Sequence, residues 1–235
     1  LDGDWLAGAR AAAVPGIKVL ETHKVVELSS IRFCDPMPIS GKDRRELRRS
    51  LRRLQDAHAV TLRCSRTPHE AVQDFDDFRT LHTGRWTHLC DPTVARFHEG
   101  FALRAAAQGW LRLWTMEVDG AAAAMLYGWR LGDRQFAYLQ AFDARWSRHG
   151  VGIVLLAHVI EQAQEDGVSV FDMLRGKGHH KARFENDRRL VRTHVAVRNP
   201  SMSYAKIRGV EAARRLYRSL PDEGAIGELK QRIRR

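Results

Sequence analysis

The stretch that most limits what this chain can fold into is residues 135–184. An apolar, aromatic-bearing segment, Gln135-Phe136-Ala137-Tyr138-Leu139-Gln140-Ala141-Phe142-Asp143, runs into Arg148-His149-Gly150-Val151-Gly152. An apolar helical run follows, then Phe171-Asp172-Met173-Leu174-Arg175-Gly176. Strand, glycine turn, helix and strand in that order make a β-turn-α-β unit. The helix is read from Val151, Val154, Leu155, His158, Val159 and Ala163 at spacings of three and four, with Glu161, Gln162, Gln164, Glu165 and Asp166 on the other side. Gly167 supplies its stop. The first N–H groups of a helix have no partner inside it and sit at the positive end of its dipole, so an anion is favoured there. Gly150 and Gly152 let a phosphate come close to the backbone, although a plain helix entry uses glycine too.

Upstream, Leu111–Val118 alternates, Asp119-Gly120 is a hairpin turn, Ala121–Arg130 returns, and Gln135–Phe142 is a third strand after Gly132-Asp133. Before them, Ser40 and Asp43 open a helix with Leu47, Leu51 and Leu54 as its apolar stripe. Lys42, Arg44, Arg45, Arg48, Arg49, Arg52 and Arg53 cover much of the rest. Thr61–Cys64 reads as a strand. Thr67-Pro68-His69-Glu70 then opens a second helix carrying Val72, Phe75, Phe78, Leu81 and His82. A third helix spans Phe97–Gln108, and Val191–Val197 reads as a closing strand. From Ser201, Val210, Ala213, Leu216, Tyr217 and Leu220 give a basic helical tail. In the first 34 residues, Ala7–Ala13 suits a helix, Pro15-Gly16 a turn, and Lys18–Leu20 and Lys24–Leu28 two short strands.

Ser147-Arg148-His149-Gly150-Val151-Gly152 resembles the acyl-CoA pyrophosphate loop of the GNAT acyltransferases, and Gly109–Leu113, Ala122–Gly128, Tyr138–Asp143, Ile160-Glu161 and Phe171–Gly176 with Lys181 and Phe184, in that order, resemble the same family. Within it they are similar to the CelD-like acetyltransferase branch related to the Fem-type aminoacyl transferases. The resemblance covers about residues 40–198. Ser147 stands where the family's loop opens on Arg or Gln, and His180 where a Tyr normally precedes the Lys. It implies an α/β (α+β) GNAT-like fold: a mixed, mostly antiparallel sheet with the β-turn-α-β unit as acyl-donor site. Residues 40–198 are then the acyltransferase domain, 1–39 N-terminal strands from the tail of a first lobe, and 199–235 a basic helical tail.

The activity implied is N-acyl transfer, typically of acetyl, from acyl-CoA as co-substrate to an amine acceptor by direct attack. Such a reaction needs an amine held against a thioester carbonyl, donors for the oxyanion and a base for the ammonium proton. Asp143 and His180 are the candidate bases, and Tyr138 the candidate partner of the leaving thiolate. The splayed strand pair after Asp143 supplies backbone donors. Arg148, His149, Gly150, Val151 and Gly152 would hold the acyl-CoA pyrophosphate. His82, Arg85, Trp86, Arg175 and Lys181 are candidate substrate contacts, with Phe78, His82, Arg85 and Trp86 matching a family signature. Asp172 and Arg175 suit a structural ion pair, and Lys181 a phosphate. Two alternatives stand beside this reading: a Fem-like transferase using aminoacyl-tRNA, held through the Arg-rich helix, and a non-catalytic GNAT-like binding module.

Composition narrows the setting. No apolar run reaches the roughly 20 residues that span a bilayer, and the first residues carry no signal-peptide pattern. Cys34, Cys64 and Cys90 lie far apart with no Cys-x-x-Cys spacing, so reduced thiols, no metal and a cytoplasmic location are expected. A net charge of +11 favours polyanionic partners. No nucleophile elbow or Ser-His-Asp pattern occurs, which disfavours covalent catalysis.

Overall fold

The computed structural model describes residues 17–33, 40–84, 87–175, 179–198 and 201–219. Among them seven strands form one sheet: β1 (Ile17–Arg32), β2 (Val60–Ser65), β3 (Leu111–Val118), β4 (Ala121–Leu131), β5 (Arg134–Phe142), β6 (Val170–Arg175) and β7 (Asp187–Arg198). Their order across it is β2-β3-β4-β5-β6-β1-β7. The helices are α1 (Gly41–Ala57), α2 (Pro68–Thr83), α3 (Pro92–Ala107), α4 (Val151–Glu165), the one-turn α5 (His179–Ala182) and α6 (Met202–Ser219). Pairing is antiparallel from β2 to β5 and between β6 and β1, and parallel between β5 and β6. This is the mixed, mostly antiparallel α/β sheet that the sequence implies.

Glu27–Arg189 is one compact unit; the flanking described residues, 17–26 and 190–219, belong to a second. The second contains α6, entered where the Ser201 hydroxyl accepts from Tyr204 N. In the larger unit the sheet separates two cores. On one face Trp114, Met116 and Leu126 meet Leu47 and Leu54 of α1 and Val154, Leu155 and Ile160 of α4. On the other, Leu111, Leu113, Met125 and Tyr127 meet Phe75 and Phe78 of α2 and Ala102 and Ala105 of α3. Met125, Leu126 and Tyr127 alternate between these cores, the period-two signature of a strand buried on both faces.

Local chemistry fixes the element ends. Ser40 caps α1 by accepting from Asp43 N at 3.0 Å. Thr67 and Glu70 form a complete capping box on α2 with Pro68 in its first turn. At the β3–β4 hairpin Asp119 and Gly120 both have positive φ, 54° and 78°, which matches the twist of the strands they join. Arg63 of β2 anchors α2 through both oxygens of the buried Asp74.

Three boundaries differ from expectation. α3 starts at Pro92, not Phe97, because Asp91 caps it by accepting from Thr93 N at 2.7 Å and proline occupies its first turn. The two short N-terminal strands are one, β1, since no glycine or proline interrupts Glu21-Thr22-His23. β7 begins at Asp187, earlier than Val191: Asn186 just before it holds Arg32 of β1 through both main-chain groups, at 2.8 and 2.9 Å. The helix expected at Ala7–Ala13 and the turn at Pro15-Gly16 lie outside the described residues.

Candidate active site

The site forms where β5 and β6 part. Their parallel pairing runs only from Arg134↔Val170 to Phe136↔Asp172. Beyond it β5 continues to Phe142 and β6 to Arg175 with no pairing between them, so a cleft opens. The sequence placed the splay after Asp143; it begins at Ala137, and the reason is a bulge. Tyr127 pairs with Leu139 and Gly128 with Ala137, which leaves Tyr138 as the extra residue of β5. Gly128 permits this arrangement, because a Cβ there would lie 2.1 Å from the Phe136 carbonyl oxygen. The cleft is lined by Tyr138, Leu139 and Gln140 of β5, Leu156 of α4, Met173 of β6 and Lys181 of α5.

The β6 wall ends in an unusual turn. Leu174 has φ 57°, a left-handed backbone on a branched residue, held by Leu174 N donating to Asp172 Oδ1 at 2.9 Å. Lys181 Nζ donates to the carbonyls of Met173, Leu174 and Arg175 at 2.6, 3.4 and 2.9 Å. All three ammonium protons thereby face backbone oxygens, and burial pushes the amine pKa down. Lys181 closes the end of β6, which differs from the phosphate contact expected of it. Asp172 is buried and pairs with Arg134 at 3.3 Å and Arg189 at 3.4 Å. Arg175, the partner expected for it, is exposed at the strand end.

On the α4 side, the loop expected to hold the acyl donor is a 3-10 turn, Ala144–His149, that delivers the chain to Gly150 in the left-handed region at φ 63°. Gly150 is the N-cap of α4 and, lacking a side chain, leaves the first amides of the helix without a side-chain cap. Arg148 and His149 are exposed beside them, whereas Val151 is fully buried in the core. Gly152 packs on β5: a Cβ there would lie 3.2 Å from Phe142 Cδ1, and its carbonyl accepts from Gln140 Nε2. Its smallness thus serves the helix–strand contact.

Asp143 works within this loop. Its carboxylate accepts from Arg145 N at 2.9 Å and from the Arg145 guanidinium at 2.8 and 2.6 Å. The Arg145 side chain holds its pKa below the usual carboxylate range, which makes Asp143 a weak proton acceptor and a strong loop anchor. One residue the sequence does not mark, His58, supports the same loop. The His58 ring lies 4.8 Å from Trp146 and 6.2 Å from His149, and its Nδ1 is 2.8 Å from Asp119 Oδ2. No local pattern ties His58 to a turn about ninety residues away.

On the opposite face, Tyr138 belongs to an aromatic cluster with Tyr127, Trp129 and His98, whose ring lies 5.3 Å away. His88 is 5.7 Å from His98 and 6.4 Å from His82. His82 and His98 are buried, and burial lowers the pKa of both. His82 Nδ1 is buried without a hydrogen-bond partner. His98 was missed in the sequence because nothing local marks it apart from the apolar side of its helix. Arg85 and Trp86 lie outside the described residues, as does the side chain of His180. Among the described residues no group of three His, Cys, Asp or Glu is placed to hold a metal ion.

The sequence model of the family described as "Acetyltransferase (GNAT) domain" matches residues 41–182, more than half of the chain. No curated protein sequence matches. Among solved structures, the chain is similar to the C-terminal domain of a putative lysylphosphatidylglycerol synthetase from Agrobacterium fabrum. The identity is 15%, the TM-score 0.56, and the match covers 89% of this chain and 69% of that one. L-PGS from Bacillus licheniformis is similar at 12% identity and TM-score 0.55, covering 90% and 70%. A protein of unknown function from Bacteroides thetaiotaomicron is similar at 13% and 0.56, covering 83% and 67%. At these identities the likeness is one of fold.

Proposed function

This chain belongs to the GNAT acetyltransferase domain family, and from that premise we propose that it transfers an acetyl or related acyl group from acyl-CoA to an amine by direct attack. The observation that carries this reading is the parting of β5 from β6 at the Tyr138 bulge, next to a helix N-terminus with no side-chain cap. In this reading the donor's pyrophosphate lies at the first amides of α4, with Arg148 and His149 beside it, and its thioester reaches into the cleft. Backbone groups freed by the bulge bind the carbonyl oxygen as negative charge develops, and Tyr138 meets the leaving sulfur. Asp143 sets the loop instead of taking the proton. A cytoplasmic setting goes with this reading, as does the CelD-like branch.

The second reading, a Fem-like transfer from aminoacyl-tRNA, draws on α1. Lys42, Arg45, Arg49, Arg52 and Arg53 are exposed there while Leu47 and Leu54 face the core. That surface suits tRNA phosphates.

One titration separates the two. Acetyl-CoA is expected to bind calorimetrically, and the H149E variant, which alters only an exposed side chain, to weaken binding about tenfold, roughly 1.4 kcal/mol. G150D should abolish it, because it adds negative charge at the helix end. No binding of acetyl-CoA, together with tRNA binding that falls steeply between 50 and 200 mM salt (approximate range), would overturn the first reading in favour of the second.

A further inference from the structure

The two faces of the sheet meet the splay differently. The uncapped end of α4 lies on one face, and a row of three histidines lies on the other: buried His98 beside Tyr138, exposed His88 next, and buried His82 beyond it. We propose that His98 and His88 form the proton exit of the acceptor side, His98 taking the ammonium proton of the incoming amine at Tyr138 and His88 releasing it to solvent, with His82 setting the His88 ring. The proposal rests on the reading of the cleft as an acyl-transfer site.

The surroundings of His98 are suited to this. Tyr127 on β4 and Tyr138 on β5 face it from the sheet, His88 faces it from the 3-10 turn His88–Cys90, and Phe97 packs at 5.2 Å. Among the described residues none of these partners is a carboxylate that would hold the imidazole charged. Tyr127 donates its hydroxyl to the His98 carbonyl at 3.3 Å, which fixes the backbone under the ring and leaves the imidazole nitrogens to others. Burial keeps His98 neutral at pH 7, the state a proton acceptor needs. His82 Nδ1, buried with no hydrogen-bond partner, sits at the inner end of the row.

The balance is simple. The ammonium acceptor gives one proton to His98, which passes it through His88 to water. The neutral amine attacks the thioester carbonyl, the C–N bond forms and the C–S bond breaks. The second amine proton goes to the sulfur. One proton is released per turnover, and one amide and one thiol are made.

The test uses the full chain labelled with 15N at histidine, and thiol release from acetyl-CoA with spermidine as the probe amine. In the wild type, the His82 and His98 imidazoles should titrate below the ordinary histidine value, and H88Q should shift both curves. His82 and His98 curves that stay at the ordinary histidine value and do not move in H88Q overturn the relay whatever the donor. With spermidine, H98Q should lower kcat by about tenfold to a hundredfold and remove the acid limb of its pH profile, leaving KM for acetyl-CoA unchanged. H88Q should slow the rate and keep the limb. An H98Q enzyme with an unaltered pH profile overturns the proposal even if H88Q moves the His82 and His98 curves. His82 and His98 curves that move in H88Q, in a chain that binds no acetyl-CoA, would instead overturn the acyl-CoA reading and keep the proton route.

Discussion

Gly128 and Gly100 show how one residue type answers to opposite demands. At Gly128 an added methyl would meet the Phe136 carbonyl at 2.1 Å, and the obstacle is backbone on the strand paired with it. G128A must therefore push β5 away or undo the bulge. Its expected cost is about 3 kcal/mol, at the upper end for overpacking, with loss of the cleft. Gly100 is an exposed position of α3 with nothing within 4 Å of a built Cβ. G100A removes backbone freedom from the unfolded chain and clashes with nothing, so it should stabilise by about 0.5–1 kcal/mol. Urea unfolding of both variants checks the pair. Equal effects would mean that the close approach at Gly128 does not govern the fold. Lys181 belongs to the same scale: its amine closes three carbonyls at the end of β6, a use that no spacing in the sequence announces.

At the level of elements, caps and periods were legible and packing partners were not. The capping box of Thr67 and Glu70 was written in four consecutive residues, and α2 starts there. T67A removes the side-chain acceptor of Glu70 N and should cost about 1 kcal/mol; T67S should retain most of it. Thermal unfolding of the two distinguishes a cap from a bystander. The Asp91-Pro92 start of α3 was present in the sequence too, five residues before the apolar period that drew the boundary to Phe97. On α4 the helix period and the glycine entry were readable. The period put Val151 on the apolar side, which is buried; the sequence did not tell which strand that side meets, or that Gly152 is small because β5 lies behind it. Those depend on which side of the helix the sheet takes.

For the whole molecule, the titrating groups set a pH response with a definite sign. Burial lowers the pKa values of His82, His98 and His158 below the ordinary 6.5. Between those folded values and 6.5 the unfolded chain binds more protons, so stability falls as the pH drops below about 6.5. Asp143, Glu185 and Asp187 are held below the usual carboxylate range by arginine partners. Their stabilisation is complete above the unfolded carboxylate values and is lost as the pH falls through the folded ones. Calorimetric melting temperatures should therefore fall in two stages on acidification, the first near pH 6.5 and the second near and below pH 4, in keeping with ordinary carboxylate values of about 4. A single stage confined to the acid end would show that the buried histidines carry protons in the folded state.

The sequence by itself determined the elements, their order and the β-turn-α-β unit, because helix periods, caps and hairpin glycines act over a few residues of chain. It marked Gly150 as the helix entry and Tyr138 as part of the third strand for the same reason. The tertiary structure decided where the sheet opens, that Asp172 pairs with Arg134 and Arg189, and that His98 stands beside Tyr138. Each of these turns on a strand register, a burial or a meeting of residues from different elements. Such distances follow from packing two cores against one sheet, and no local spacing encodes them.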